Sequence, residues 1–234
     1  MKIKVWSYEE EYRSIRKKIL KEVDKVFSSG HLILSKNVRT LELNFSRYLK
    51  LKYGIGVNSG TDAIQIALMS AKIGRGDEVI TVPNTAVPTV SAIVSCGAKP
   101  VFVDINEDDY LIDVNKIEEV VNKKTKAIIP VNLYGQCADY DKLLPIAKKN
   151  KLVVIEDCAQ STGSFYNDRP SGSFGHLSAF SFYPTKNLGA YGDGGFIGTS
   201  VKNYAKRAAQ LRKYGMKKFY YSEEHGINSR LDEV

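Results

Sequence analysis

Three segments of the chain are almost continuously apolar: VITV at residues 79–82, AIIPV at 127–131 and LVVI at 152–155. A strand with one wet face alternates apolar and polar residues. Runs without that alternation fit strands covered by helices on both sides, the habit of parallel sheets. Helix-period segments fall between them. GIGV leads into a helix expected over 61–71, DEVITV into one running through Ser91, KPVFVD into a short helix over 114–121, and KAIIPVNL into one over 139–149, before the strand LVVIED. Two helices are expected ahead of these. The first covers residues 8–28, with Tyr12, Ile15, Ile19, Val23 and Val26 on one face, and stops before Gly30; the second covers about 38–49. The expected fold is α/β, a three-layer sandwich with a mostly parallel central sheet. SAFSF and GGFIGTS read as two more strands around a glycine-rich loop between Gly163 and Gly198.

A chain of 234 residues can bury a full core, and the strand–helix rhythm has no composition break, so one domain is expected. No apolar run approaches the roughly 20 residues of a membrane span. The start, MKIKVWSYEEEYRS, carries acids where a signal peptide has its apolar stretch, so a cytoplasmic protein is expected. Cys96, Cys137 and Cys158 form neither an even framework nor a CxxC pair, which suits a reducing compartment and argues against a metal site. The net charge of +8 suits an anionic ligand. The basic stretch from Lys202 to Lys218 lacks any groove-reading motif and reads as a solvated helix face rather than a nucleic-acid surface.

Ligands of open α/β sheets collect at the carboxyl ends of the strands. That rule puts residues 58–61, 83–89, Asp104, 157–160 and the loop around Lys186 on one rim. NSGTDA lies between a strand and a helix, where the free amides of Gly60 and Thr61 and the Thr61 hydroxyl suit a phosphate; alone, the motif is equally an ordinary helix cap by Ser59 or Thr61. Asp157 in EDCAQSTGS ends a strand, placed to pair with a protonated ring nitrogen, and Gln160 stands far enough along to donate to a ring oxygen. In isolation such an aspartate is more often a turn cap. Lys186 sits in SFYPTKNLGAYGDGG, whose glycines let the chain pass close under a planar ring, with Ser181 as a phosphate donor. A lysine amine can condense with the aldehyde of pyridoxal 5'-phosphate while an aspartate keeps the pyridine nitrogen charged, so Lys186 and Asp157 together point to that cofactor. GIGVNSG also contains GxGxxxG, but no acid follows at the distance from which a dinucleotide ribose is read.

With SSGHLILSKNV, VNSGTDA, VPNT, GAKPVFVDI, EDCAQSTGS, FGHLSAFSFYPTKNLGAYGDGG and GINSRLDEV together, almost the whole chain resembles the sugar-nucleotide aminotransferases of the DegT/DnrJ/StrS family, of the type I aminotransferase fold. The resemblance implies Lys186 as the Schiff-base lysine, Asp157 as partner of the pyridine nitrogen and Gln160 as neighbour of the ring oxygen. It places Gly60, Thr61 and Ser181 around the phosphate. It also implies that Asn228 reaches the phosphate of a neighbouring subunit, so that a homodimer shares its active sites. Residues 1–234 would be the cofactor-binding large domain with its amino-terminal helices, the smaller carboxyl-terminal domain being largely absent. Ala86 stands where the family carries an aromatic residue that stacks on the ring.

The implied reaction is amino transfer from an amino-acid donor, glutamate, to a nucleotide-linked keto sugar. Tyr183 in place of a histidine resembles the branch acting at the third carbon of a thymidine-diphosphate 3-keto-6-deoxyhexose. Lys186 favours amino transfer over the family's dehydratases, which carry histidine there. Two alternatives stay open on the sequence: a non-catalytic or regulatory homologue, and a nicotinamide-dependent sugar-nucleotide oxidoreductase.

Overall fold

The computed structural model describes residues 6–234; the first five residues, part of the amino-terminal stretch read above, lie outside them. Helices α1 (Glu9–Ser29) and α2 (Lys36–Tyr48) precede the alternating portion. Then follow β1 (Tyr53–Val57), α3 (Gly60–Ser70), β2 (Glu78–Thr81), α4 (Val87–Ser95), β3 (Lys99–Phe102), α5 (Ile117–Val120), β4 (Thr125–Ile128), α6 (Tyr140–Lys149) and β5 (Val153–Asp157). A small hairpin of β6 (Phe165–Tyr166) and β7 (Arg169–Pro170) leads to β8 (Leu177–Ser181), β9 (Gly195–Thr199) and α7 (Lys202–Leu211), and a second hairpin pairs β10 (Met216–Lys218) with β11 (Tyr221–Ser222).

Seven strands form one sheet in the order β1-β9-β8-β5-β4-β2-β3. Neighbours from β8 through β5, β4 and β2 to β3 are parallel, and β9 runs against both β8 and β1. The apolar runs sit as expected in the sheet's interior. Along them the side chains alternate between two buried layers: Val79, Ala127, Ile155, Ala179 and Ile197 join the cluster that includes residues of α3, α4 and α7. Ile80, Ile128 and Val154 join the one that includes α6 and Ile117 of α5. A third cluster sets Phe45 and Leu49, from α2 and its end, on Phe180, Phe182 and Phe196. With both faces dry, alternation carries no polar signal, which is why the strands read as unbroken apolar runs.

The face expected for α1 is the one the structure covers, with Val26 buried and Tyr12, Ile15, Ile19 and Val23 half-buried. One expectation needs correction. The basic stretch is not one helix: α7 ends at Leu211, and the chain turns through the left-handed residues Tyr214 and Gly215 into β10. Within α7 the lysines Lys202 and Lys206 are exposed, as a solvated face requires, while the apolar Ala205, Ala208 and Leu211 are buried. The three cysteines are free, Cys158 buried and the others half-buried. No described helix is long and apolar enough to cross a membrane, and no cluster of potential metal ligands occurs among the described residues.

Candidate active site

The rim at the carboxyl ends of β1, β2, β5 and β8 encloses a cavity of about 300 Å³ bordered by Gly60, Thr61, Asp157, Gln160, Ser181 and Lys186. Six of the seven residues expected from the sequence therefore meet at one place. Asn228 is not on this wall. It lies behind it, where its carbonyl accepts a bond from Asn58 Nδ2 (3.4 Å). Asp104 is at the same sheet edge but in a separate acidic loop beside Asp113 and Lys116.

Helix α3 opens the site. Ser59 caps it, its Oγ accepting from Asp62 N–H (3.0 Å), and its carbonyl takes the Ala63 amide. The amides of Gly60 and Thr61, in the first turn, have no intrahelical acceptor and belong to residues that face the cavity. Gly60 is required here: a Cβ would stand 2.7 Å from Ser181 Cβ. Ser181 in turn accepts the Tyr183 amide at 3.3 Å, leaving its own proton for a ligand. Ser229, fully buried, braces this turn from behind by accepting from Asn58 N–H (3.0 Å) and donating to Asp62 Oδ2 (2.6 Å). The GxGxxxG glycines Gly54 and Gly56 lie within β1, paired with Gly198 and Phe196, and form no turn of their own.

Asp157 is 4 % exposed. Its Oδ2 accepts from Thr89 Oγ1 (2.7 Å) and its Oδ1 from Ala159 N–H (3.1 Å). Burial pushes its carboxyl above the usual carboxylate range, while Thr89, the Ala159 amide and the Lys186 charge pull the other way. Its neighbour Glu156 points into the opposite side of β5, fully buried, and takes the amides of Gly172 (2.9 Å), Phe174 and Gly175 (both 2.6 Å). Two adjacent acids thus fix the loop on one side and face the cavity on the other. Gln160 Oε1 accepts the Tyr134 amide at 3.1 Å, so the Nε2 donor is left for a ligand. Lys186 is half-buried in the loop that joins β8 to β9, its backbone held by the Tyr183 carbonyl (2.8 Å).

These groups fit pyridoxal phosphate. Amides and hydroxyls gather at a helix N-terminus for an anion, a buried carboxylate is ready for a ring cation, and an amine borders the same space. Thr85, Thr89, Ser59, Tyr183 and Asp193 also border the cavity without having been singled out for it. The spacing of Thr85 and Thr89 at either end of TAVPT, one helical turn apart, is the signal that was available for two of the missed groups.

The model of the DegT/DnrJ/EryC1/StrS aminotransferase family matches residues 13–234. The chain belongs to that family. It is 49% identical over 231 residues to a dTDP-3-amino-3,4,6-trideoxy-alpha-D-glucose transaminase of Micromonospora megalomicea subsp. nigra, covering 98% of this chain and 62% of the relative. It is 46% identical to a pleiotropic regulatory protein of Geobacillus stearothermophilus, over 100% of this chain and 63% of that one. The chain thus spans less than two thirds of the length of these relatives. Among solved structures, S. venezuelae DesV in complex with a ketimine intermediate superposes with a TM-score of 0.94 at 39% identity, over 97% of this chain and 61% of that one. Bacillus subtilis ntda with bound cofactor PMP gives 0.89 at 34% identity, over 94% and 50%.

Proposed function

We propose that the chain is the cofactor-binding part of a pyridoxal-phosphate-dependent aminotransferase. It would move an amino group from an amino-acid donor, glutamate, to a nucleotide-linked keto sugar, a thymidine-diphosphate 3-keto-6-deoxyhexose. The observation that carries this reading is that Lys186, Asp157 and the free amides of α3 border one cavity. The name of the Micromonospora protein supports the substrate class. Pyridoxal phosphate, when bound, supplies an electron-withdrawing ring that accepts an amino group and passes it on.

This chain's residues do the rest. Gly60, Thr61 and Ser181 would hold the phosphate, Asp157 would hold a proton on the ring nitrogen, and Gln160 Nε2 would donate to the ring oxygen. Lys186, on the same cavity, would anchor the aldehyde through its amine and move a proton to and from the reacting carbon. Asn228, which does not line its own chain's cavity, would reach the phosphate of a second copy, and the working unit would then be a homodimer. The free cysteines support a cytoplasmic setting.

The name of the Geobacillus relative favours a regulatory role as a second reading. Cofactor uptake separates the two. The purified chain mixed with pyridoxal phosphate is expected to gain a visible absorption band that Lys186→Ala does not form, and to lose that band when glutamate is added. A chain that binds no cofactor would leave the regulatory reading in place.

A further inference from the structure

Asp157 is held by groups of this chain before any cofactor meets it. Thr89, in the first turn of α4, is 1% exposed and donates to Oδ2, while the Ala159 amide donates to Oδ1. A second hydroxyl, Thr85 Oγ1, stands 2.8 Å from Thr89 Oγ1. Thr89 has one proton. Once that proton goes to Asp157, the bond between the threonines can be made only with Thr85 as donor. Thr85 and Thr89 both border the cavity, so a file of two hydroxyls runs from its wall to the acid, with Asp157 Oδ2 as its last acceptor.

Among the described residues no other side chain takes this role. Lys186, from the loop after β8, supplies a charge but makes no hydrogen bond to Asp157. Glu156 spends both oxygens on the Gly172, Phe174 and Gly175 amides. Burial holds the Cys158 thiol well above its ordinary range, so it stays neutral.

We propose that Thr89, oriented by Thr85, is a positioning residue that aims the Asp157 carboxylate at the cofactor's ring nitrogen and keeps it an acceptor. The proposal rests on the aminotransferase reading, because it needs a ring nitrogen for the acid to face. Valine at 89 keeps the shape and removes the donor. Oδ2 then lies in a dry site without its hydrogen bond, the carboxyl takes up a proton more readily, and a neutral acid grips a ring cation less well.

The test is a binding titration of cofactor-free protein with pyridoxal phosphate and with its analogue in which the ring nitrogen is replaced by C–H. Both carry the same aldehyde and phosphate. Thr89→Val is expected to weaken pyridoxal phosphate roughly tenfold relative to the carbon analogue, the loss that goes with one hydrogen bond to a charged group. Thr89→Ser should restore the parent's preference. In an Asp157→Asn background, Thr89→Val should add no further discrimination, because the acid through which it acts is gone. Equal weakening of both ligands by Thr89→Val, or of neither, would overturn the proposal, as would a serine variant that behaves like valine. If the parent chain itself binds neither ligand, the aminotransferase reading fails and this one with it.

Discussion

At the residue scale the account turns on Asp157. In the cofactor-free chain burial raises its pKa, whereas a ring cation beside it lowers it. Where the free acid carries its proton, cofactor binding therefore releases it. Affinity for pyridoxal phosphate is expected to be full above the raised free-chain value and to fall as pH drops through it toward the value in the complex. The sign for folding is opposite. A raised carboxyl pKa contributes stability to the cofactor-free chain at acid pH, and that contribution is lost as pH rises from the ordinary value of 3.8 through the raised one. Calorimetric titration at several acid pH values checks the first point, and Asp157→Asn should flatten the dependence. The sequence made Asp157 legible because a strand-end acid preceding a glycine-rich lysine loop is a local pattern. Thr89 was not legible as its partner. The two are 68 positions apart, and nothing in VPNTAVPT names the carboxylate its hydroxyl meets.

Among the elements, the position of α2 depends on the far end of the chain. Glu233, 7% exposed, accepts the amides of Ser35 (2.6 Å), Asn37 (2.7 Å) and Val38 (3.1 Å), filling the role that a local cap would have. Ser35, the N-cap residue, makes no such side-chain bond itself. Glu233→Ala strands up to three amides and is expected to lower unfolding stability by about 1–3 kcal/mol, read from the urea midpoint. Helix periodicity found α2 within two residues of its observed start, but a cap from 198 positions away leaves no mark near it. The same limit explains α7. Its charge pattern ran on past Leu211, whereas the left-handed turn at Tyr214 and Gly215 is fixed by tertiary contacts such as Tyr214 N–H to the Ile227 carbonyl (3.0 Å).

For the whole molecule, the layer class was legible because residues buried on both sides of a sheet leave an apolar run that few other settings produce. Strand order was not. Tyr53 ends up opposite Thr199, and β9 enters antiparallel between β1 and β8, a neighbourhood that local patterns do not encode. That insertion matters for the site. Because β9 runs backwards, the loop carrying Lys186 starts and finishes on the same rim as the carboxyl ends of β1 and β5, which brings amine, acid and helix N-terminus around one space. The central claim is that this space holds one pyridine ring between Lys186 and Asp157. Borohydride reduction of the cofactor-treated chain, followed by peptide mapping, measures it directly. The account predicts a stable adduct on Lys186 alone, lost in Lys186→Ala and diminished in Asp157→Asn; an adduct on any other lysine, or none in the parent chain, would contradict it.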